Sequence, residues 1–399
     1  MIEKIVEIQL ALVREIEDYS FKRYLFDKIN LKDRLIGIIG ARGLGKTTLL
    51  LQYYLSYYNN PQDCLYLSAD NINVINHGLY NLAEEFFKYG GKTLLLDEIH
   101  KYPGWQVELK NIYDSFPKKK IIFSGSSALN ILKGKADLSR RAVFYNLKGL
   151  SFREFIELST GKVFPLIKLE ELLKKHIYLA NKINGQITVL RVFNKYLKYG
   201  YYPFFKEGIE SFDKKLNNVV EKIICEDIPS LYNIKYSTVF SLKKLFYLVA
   251  TSQPFIPNIS RMSSQLGISK EYIYTYIQDL EKAGLFILLY PKEKGFRLLR
   301  KPQKIYLENP NLFHLVRAEK GFEINMGNTR ETFFINQASG ESKLFYSARG
   351  DFLNSRGELF EIGGKGKKPI SLKRGITVAD NITVGFGNKI PIWLFGFLY

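Results

Sequence analysis

Hydrophobic residues follow two different patterns along the first part of the chain. Short continuous apolar runs, which are typical of strands buried on both faces of a parallel sheet, alternate with stretches whose apolar residues recur at helical spacing. The apolar runs lie at 34–40, 64–70, 92–97, 120–123 and 142–147, and the helical stretches include 5–16 and 79–89. This alternation predicts an α/β fold built on a parallel sheet, with its chemistry at the carboxyl ends of the strands.

The first apolar run ends in a glycine-rich loop that leads directly into a helix. Gly40, Gly45, Lys46 and Thr47 fill the fixed positions of the phosphate-loop pattern. Glycines let successive N–H groups point inward, and the helix N-terminus adds positive potential for phosphate oxygens. Lys46 adds a mobile charge, and the Thr47 hydroxyl suits Mg²⁺. The alternative is a glycine-rich turn before an ordinary helix. The predicted phosphate-binding residues are Gly40, Ala41, Arg42, Gly43, Leu44, Gly45, Lys46, Thr47 and Thr48.

Two acids, Asp97 and Glu98, follow the third apolar run. Because functional side chains gather at the carboxyl ends of parallel strands, Asp97 is expected to hold the Mg²⁺ shell together with Thr47. Glu98 is expected to polarise the attacking water. A pair of solvated acids at a strand end is the alternative. Together with the phosphate loop, these acids predict ATP hydrolysis with ATP and Mg²⁺ bound.

Two further kinds of side chain are candidates for the same site. Hydroxyl groups end the fourth apolar run, and Ser126 is preferred over Ser124 as the sensor of hydrolysis because it lies nearer the end of the strand. Arg140 and Arg141 present paired guanidinium groups, and an arginine acting in trans stabilises the charge of phosphoryl transfer. The alternative for these arginines is a surface ion pair with a carboxylate.

These motifs resemble the AAA-family ATPases of prokaryotes that carry a C-terminal nuclease-like region of unknown function. The residues that carry the resemblance are those at 40–47, 97–105, 124–127 and 150–155. The resemblance extends over essentially the whole chain, and it implies a P-loop NTPase core of the AAA type at residues 1–160 and a helical lid at 161–235. It also favours Arg141 as the finger that completes a neighbour's site, which implies a homo-oligomer.

Residues 236–310 show three helical stretches and then a basic hairpin, which predicts a winged helix. The third stretch offers Lys270, Tyr272, Tyr274 and Tyr276 as contacts to a major groove. The basic residues of the hairpin are Lys292, Lys294, Arg297, Arg300, Lys301 and Lys304. A net charge of +19 favours a polyanion such as double-stranded DNA, although a lysine-rich composition without a ligand would give the same charge. A winged helix used for protein packing is the alternative.

Residues 311–399 resemble a small nuclease-like α/β domain. A helical Glu331, a strand Asp351 and Glu361 followed by Lys365 resemble the core of restriction-type nucleases, whose carboxylates bind Mg²⁺. A loop of three or five residues brings Asp351 and Glu361 to one face of a hairpin, whereas a loop of four separates them. The resemblance favours the arrangement in which Asp351 and Glu361 lie together near Glu331. Two glycines before Lys365 are expected to displace it and leave the site inactive.

The cysteines, the length of the apolar runs and the start of the chain limit which functions are expected. Cys64 and Cys225 stand far apart in apolar settings, which argues against a disulfide framework. No apolar run is long enough to span a bilayer and the start of the chain lacks a signal peptide, so we expect a cytoplasmic protein without a membrane partner. Three functions stay open: a DNA-associated ATPase, a nucleotide switch that regulates a partner protein, and an ATP-gated nuclease.

Overall fold

The computed structural model describes residues 1–125, 138, 140–229, 236–252, 256–292, 301–372 and 374–399. It divides the chain into two compact units, residues 1–148 and 149–399. The expected boundary after residue 160 differs from this division, because the helix Phe152–Thr160 belongs to the second unit. The finer boundaries after residues 235 and 310 stay predictions.

The first unit is a parallel sheet with helices packed on it. Its strands are β1 Leu35–Ile39, β2 Cys64–Ser68, β3 Thr93–Asp97, β4 Lys120–Gly125 and β5 Ala142–Asn146. All neighbours are parallel and the order is β2-β3-β4-β1-β5, which confirms the strands expected from the apolar runs. The helices are α1 Ile2–Ile16, α2 Lys46–Tyr57, α3 Ile72–His77, α4 Leu79–Lys88 and α5 Trp105–Ser115.

One side chain of α1 closes the open edge of this sheet. Strand β2 is the last strand on its side, so part of its backbone has no neighbouring strand. Gln9, fully buried on α1, donates from Nε2 to the Cys64 carbonyl at 3.2 Å. It also accepts the Tyr66 N–H at 2.8 Å. A single amide therefore satisfies one backbone acceptor and one backbone donor of the edge strand.

The second unit contains mostly helices in its first half. They are α6 Phe152–Thr160, α7 Leu169–Asn184, α8 Val189–Tyr199, α9 Phe212–Lys222, α10 Tyr236–Thr251, α11 Ile259–Leu266, α12 Lys270–Lys282, α13 Asn311–Lys320 and α14 Met326–Ala338. A π-helical turn, Ile223–Asp227, extends α9. The three helical stretches expected before the basic hairpin are confirmed as α10, α11 and α12, and the strands β6 Phe286–Leu289 and β7 Lys304–Leu307 pair antiparallel after them.

A capping box explains the motif at residues 150–155. The Ser151 side chain accepts the Glu154 N–H at 3.2 Å, and the Glu154 carboxylate accepts the Ser151 N–H at 3.0 Å. These two bonds satisfy backbone donors at the start of α6. The motif therefore fixes where a buried helix begins.

The second half of this unit is built on a mixed sheet. Its strands are β8 Leu344–Ser347, β9 Gly350–Asn354, β10 Leu359–Gly363, β11 Gly375–Ala379 and β12 Lys389–Pro391. Their order is β12-β11-β10-β9-β8, with β8, β9 and β10 antiparallel and β10, β11 and β12 parallel. Phe334 of α14 packs its ring against those of Phe352, Phe360 and Phe395. These aromatic contacts attach α14 to the sheet.

The hairpin between β9 and β10 has the register that brings its two acids together. Leu353 pairs with Leu359, which leaves five residues in the loop. The buried Asn354 side chain accepts the N–H groups of Arg356 at 3.1 Å and Glu358 at 2.9 Å, and these bonds set the loop length. Continuing the register places Asp351 opposite Glu361 on one face, so their expected convergence is confirmed.

Replacing Gln9 with leucine tests the role of this residue at the sheet edge. Leucine keeps an apolar side chain in the buried position but leaves the Cys64 carbonyl and the Tyr66 N–H unpaired. We expect the free energy of unfolding to fall by about 2 kcal/mol, the usual cost of unsatisfied buried groups, in urea denaturation. The control is Gln62→Leu at an exposed position, which should change it little. Equal effects of the two substitutions would contradict the role of Gln9.

Candidate functional site

The loop between β1 and α2 has the backbone geometry of an anion cradle. Gly45 has φ +86°, a left-handed conformation that favours glycine, and it immediately precedes the first residue of α2. A side chain at Gly40 would place its Cβ 2.4 Å from the Leu147 carbonyl oxygen, so only glycine fits there. The glycines expected from the pattern therefore have a steric reason.

Lys46 lies inside this loop. Its side chain is buried, and Nζ donates to the carbonyl oxygens of Gly40 at 3.0 Å and Ala41 at 2.7 Å. Since α2 begins at Lys46, the ammonium group lies close to the positive end of the helix, where phosphate oxygens bind. Together these features make the loop a site for a polyphosphate.

A buried arginine that sequence reasoning missed supports the same loop. Arg23 donates to the Leu44 carbonyl oxygen at 2.5 Å and to the Lys148 carbonyl oxygen at 2.6 Å. It is 5% exposed and belongs to the connection between α1 and β1. No motif surrounds it in the sequence, because its role depends on two carbonyl groups that lie 21 and 125 residues away.

Thr47 and Asp97 come together as predicted. The Thr47 hydroxyl donates to Asp97 Oδ2 at 2.6 Å, and the Tyr66 hydroxyl donates to the same oxygen at 3.0 Å. Ser124 donates to the other oxygen, Oδ1. Asp97 is 3% exposed, so these hydroxyl groups replace the water that a carboxylate would otherwise bind. Burial and the neighbouring Asp97 carboxylate raise the pKa of Tyr66, so that phenol stays a donor.

Glu98 adopts a backbone conformation that is unusual for a residue with a side chain. Its φ is +50° and its ψ is +38°, in the left-handed region. The Glu98 N–H donates to Ser124 Oγ and to Asp97 Oδ1, both at 3.1 Å. Ser124 therefore contacts both acids. Ser126, the residue preferred from the sequence as the sensor of hydrolysis, lies outside the described residues.

A lysine and a histidine lie beside the Glu98 carboxylate. Lys101 Nζ lies 3.6 Å and His100 Nε2 lies 3.7 Å from Glu98 Oε2. Lys101 also binds Asp70 at 2.5 Å. Burial lowers the pKa of Lys101, but the carboxylates of Asp70 and Glu98 outweigh it, so the net direction is upward. Lys101 thus stays charged beside the Glu98 carboxylate.

Arg141 makes an ion pair within its own protomer. Its Nε and Nη2 donate to the two oxygens of Asp114 at 3.0 Å and 3.1 Å. This bidentate pair holds the pKa of Asp114 below its usual range. The surface ion pair considered from the sequence is therefore present in the structure, whereas Arg140 is exposed. A role for Arg141 in a neighbouring subunit stays a prediction, and it would require the pair with Asp114 to open.

The tyrosines expected to contact DNA differ in how far they are exposed to solvent. Tyr272 is 58% and Tyr274 36% exposed on α12, but Tyr276 is only 6% exposed. Tyr276 is therefore corrected to a core position, since it shares a helix face with the buried Ile273 and Leu280. Arg297 and Arg300 lie outside the described residues.

The acidic residues predicted for the nuclease-like region each form an ion pair with a lysine. Lys304, expected in the basic hairpin, is instead buried against Glu331 and Asp351, which corrects its assignment to a DNA-contacting surface. Lys365 is exposed, and Lys367 is the lysine that contacts Glu361, at 2.6 Å.

The donor set beside the loop fits a magnesium nucleotide. A hydroxyl and a carboxylate from Thr47 and Asp97 are the hard oxygen ligands that Mg²⁺ prefers, and the loop offers N–H groups and an ammonium to phosphates. The strand order places β4 between the loop strand β1 and the acid strand β3. Fold and site together define the first unit as a P-loop NTPase core of the AAA type.

Comparison with protein families agrees with this class. Residues 32–156 match a family model described as an AAA domain, and residues 190–321 match a domain of unknown function (DUF8612). Residues 32–156 are thus similar to AAA domains, and residues 190–321 are similar to a domain whose function is unknown.

Several known proteins are similar to this chain. Uncharacterized protein MJ1637 of Methanocaldococcus jannaschii is 32% identical over 308 residues, which is 72% of this chain, and the chain spans 64% of the length of that relative. AMPPCP-bound DnaA from Aquifex aeolicus is 16% identical, with 69% of this chain and 87% of that chain covered and a TM-score of 0.27. The S. cerevisiae Hsp104-ADP complex is 14% identical, with 69% of this chain and 38% of that chain covered and a TM-score of 0.28. At these TM-scores the two structures carry no argument about this chain.

Among the described residues, no helix combines the length and the apolar content that crossing a bilayer requires.

Proposed function

We propose that the first unit hydrolyses ATP in a Mg²⁺-dependent reaction. The observation that carries this proposal is the hydrogen-bonded group formed by Thr47, Asp97, Ser124 and Glu98 beside the phosphate loop. The loop N–H groups and Lys46 bind the phosphates, and Thr47 and Asp97 would hold Mg²⁺. When bound, Mg²⁺ neutralises charge on the β- and γ-phosphates.

Glu98 acts on the attacking water in this proposal. Its carboxylate accepts a proton from water as the water oxygen bonds to the γ-phosphorus and the bond from that phosphorus to the leaving ADP oxygen breaks. The Lys101 ammonium lies 3.6 Å from this carboxylate. Ser124 positions both acids, because it donates to Asp97 and accepts the Glu98 N–H. Ser126 as a sensor of the γ-phosphate stays a prediction.

We propose further that the active form is a homo-oligomer in which Arg141 reaches a neighbouring subunit. Exposed ion pairs are weak because water screens them, so the contact with Asp114 does not lock the arginine in place. An arginine supplied in trans would stabilise the charge that develops on the transferred phosphoryl group.

Association with double-stranded DNA is the second candidate function. Three helices followed by an antiparallel strand pair are the elements of a winged helix, in the order α10, α11, α12, β6 and β7. The N-terminal half of α12 exposes Lys270, Tyr272 and Tyr274 beside the N-cap residue Ser269. These side chains and the charge of +19 support binding in a major groove. A nucleotide switch acting on a protein partner would instead show slow hydrolysis that DNA does not stimulate.

The first test separates nucleotide binding from turnover. Lys46→Ala should abolish or severely weaken binding of MgATP, because the loop loses its buried ammonium. Glu98→Gln should keep binding but lower kcat about 100-fold or more, the usual effect of losing a general base. Binding of a fluorescent ATP analogue and phosphate release measure the two effects. Glu84→Gln on the surface of α4 is the matched control. Normal turnover by Glu98→Gln would remove this residue from the mechanism.

A mixing experiment tests the action of Arg141 in trans. Arg141→Ala should bind ATP and hydrolyse it poorly, and activity should return when it is mixed with Lys46→Ala. The Lys46→Ala subunit has an intact arginine, which completes the site of its neighbour. Arg140→Ala is the control and should keep activity. A monomer that hydrolyses ATP at the full rate would refute the proposal.

The DNA hypothesis is tested by the salt dependence of binding. Each neutralised phosphate contributes a slope of about −0.9 in log K against log salt, so Lys270→Ala should reduce the slope by about 1 if it contacts a phosphate. Tyr272→Ala should weaken binding without changing the slope. Lys282→Ala at the other end of α12 is the control, and fluorescence anisotropy with a labelled duplex gives the affinities. Binding that none of these variants alters would place any DNA contact elsewhere.

A further inference from the structure

Three carboxylates and two ammonium groups meet on one face of the second sheet. Asp351 on β9 and Glu361 on β10 lie opposite each other, and Glu331 reaches the same place from α14. Lys304 Nζ lies 3.1 Å from Glu331 Oε2 and 3.4 Å from Asp351 Oδ1. The Lys304 ammonium therefore lies between two of the carboxylates that a nuclease of this fold would use for its metal.

Strand β7 supplies two donors to the same carboxylate oxygen. Lys304 and Tyr306 are two residues apart, so their side chains point to one face of the strand. Tyr306 donates its hydroxyl to Glu331 Oε2 at 2.7 Å, beside the contact of Lys304. The second oxygen of Asp351, Oδ2, accepts the Ile362 N–H at 2.8 Å. Glu331 Oε2 and both oxygens of Asp351 thus already have partners.

Lys304 is held as a charged group. The residue is 8% exposed, and although burial lowers the pKa of Lys304, the carboxylates of Glu331 and Asp351 outweigh this and raise it. Burial, reinforced by repulsion from Asp351, raises the pKa of Glu331. The lysine offsets this repulsion, and removing it would leave two carboxylates facing each other in a partly dry site.

A second lysine reaches the cluster because Gly363 has no side chain. A Cβ at Gly363 would stand 2.7 Å from Cβ and Cγ of Lys367, so the Lys367 stem lies across the glycine. This path places Lys367 Nζ 2.6 Å from Glu361 Oε1. The contact with Glu361 raises the pKa of Lys367, and Asp351 and Glu331 add to the same direction. Gly363 therefore lets the side chain of a lysine four positions further along reach the cluster.

A divalent ion would need the space that Lys304 fills. Mg²⁺ binds oxygen ligands at about 2.1 Å, and a cation bridging Glu331 and Asp351 would collide with the ammonium and be repelled by it. Over the described ranges, no three His, Cys, Asp or Glu side chains are grouped so that they could hold a metal ion. The residues present therefore do not fit the metal that the nuclease resemblance implies.

We propose that the Lys304 ammonium takes the place of the divalent cation in the nuclease-like domain, and that once it is removed the Glu331 and Asp351 carboxylates turn towards each other and bind a divalent cation. The native cluster is then a metal-free polar core that attaches β7 to α14, β9 and β10. This inference is independent of ATP hydrolysis by the first unit.

Manganese binding to the full chain without nucleotide tests the proposal, because Mn²⁺ prefers oxygen ligands and is visible by electron paramagnetic resonance. Each protein is compared with its Asp351→Asn partner, so that manganese bound elsewhere cancels. The wild type and Asp351→Asn should give the same isotherm. Lys304→Met should bind one more ion, about tenfold or more tightly than any such site in the wild type, and Lys304→Met/Asp351→Asn should lose it.

Circular dichroism and thermal melting accompany these titrations. Should Lys304→Met not fold, Lys304→Gln serves in its place, because its amide can still donate to Glu331 without carrying charge. Manganese should raise the melting temperature of the uncharged variant but not that of its Asp351→Asn partner. Saturable manganese binding by the wild type that Asp351→Asn abolishes would overturn the proposal. A folded, uncharged variant that gains no ion would overturn it as well.

Discussion

An ionised carboxylate buried in a sheet needs hydrogen-bond donors in place of water, and Asp97 obtains them from three different elements. Thr47 comes from α2, Tyr66 from β2 and Ser124 from β4, and the Glu98 N–H adds a fourth donor. Thr47 stands at the start of α2, Ser124 near the carboxyl end of β4 and Glu98 just beyond the carboxyl end of β3, so these ends must meet at one place. The parallel sheet and the phosphate loop are thus coupled through a single acid.

The same requirement explains which parts of this site could be predicted from the sequence. The loop, Thr47, Asp97 and Glu98 follow from local patterns, in which residue type and spacing carry the chemistry. Ser124 does not, because its place beside Asp97 depends on the register of β3 and β4, in which Leu96 pairs with Phe123. That register joins residues 27 positions apart in the chain, which no local pattern records. Gln9 and Arg23 were missed for the same reason, since their partners are backbone groups far along the chain.

In the second unit the helices and strands were easier to predict than the direction of individual side chains. The convergence of Asp351 and Glu361 depended on a loop length that the Asn354 side chain sets. Lys304 stands among basic residues, and the pattern indicated a solvated hairpin. Its burial follows from α14 packing beside β7, a tertiary contact that carries no local signal.

The two clusters of acids differ in the donors that surround them, and this difference has a chemical consequence. Asp97 receives hydrogen bonds from hydroxyl groups, which can rotate and turn lone pairs towards a cation, so Thr47 can change from donor to ligand without moving its backbone. An ammonium group has no lone pair to offer, and it carries a positive charge of its own. Lys304 therefore already compensates part of the charge of Glu331 and Asp351, whereas the donors to Asp97 are neutral. Within one chain, neutral donors surround the acid that we propose holds Mg²⁺, and charged donors surround the acids that we propose do not.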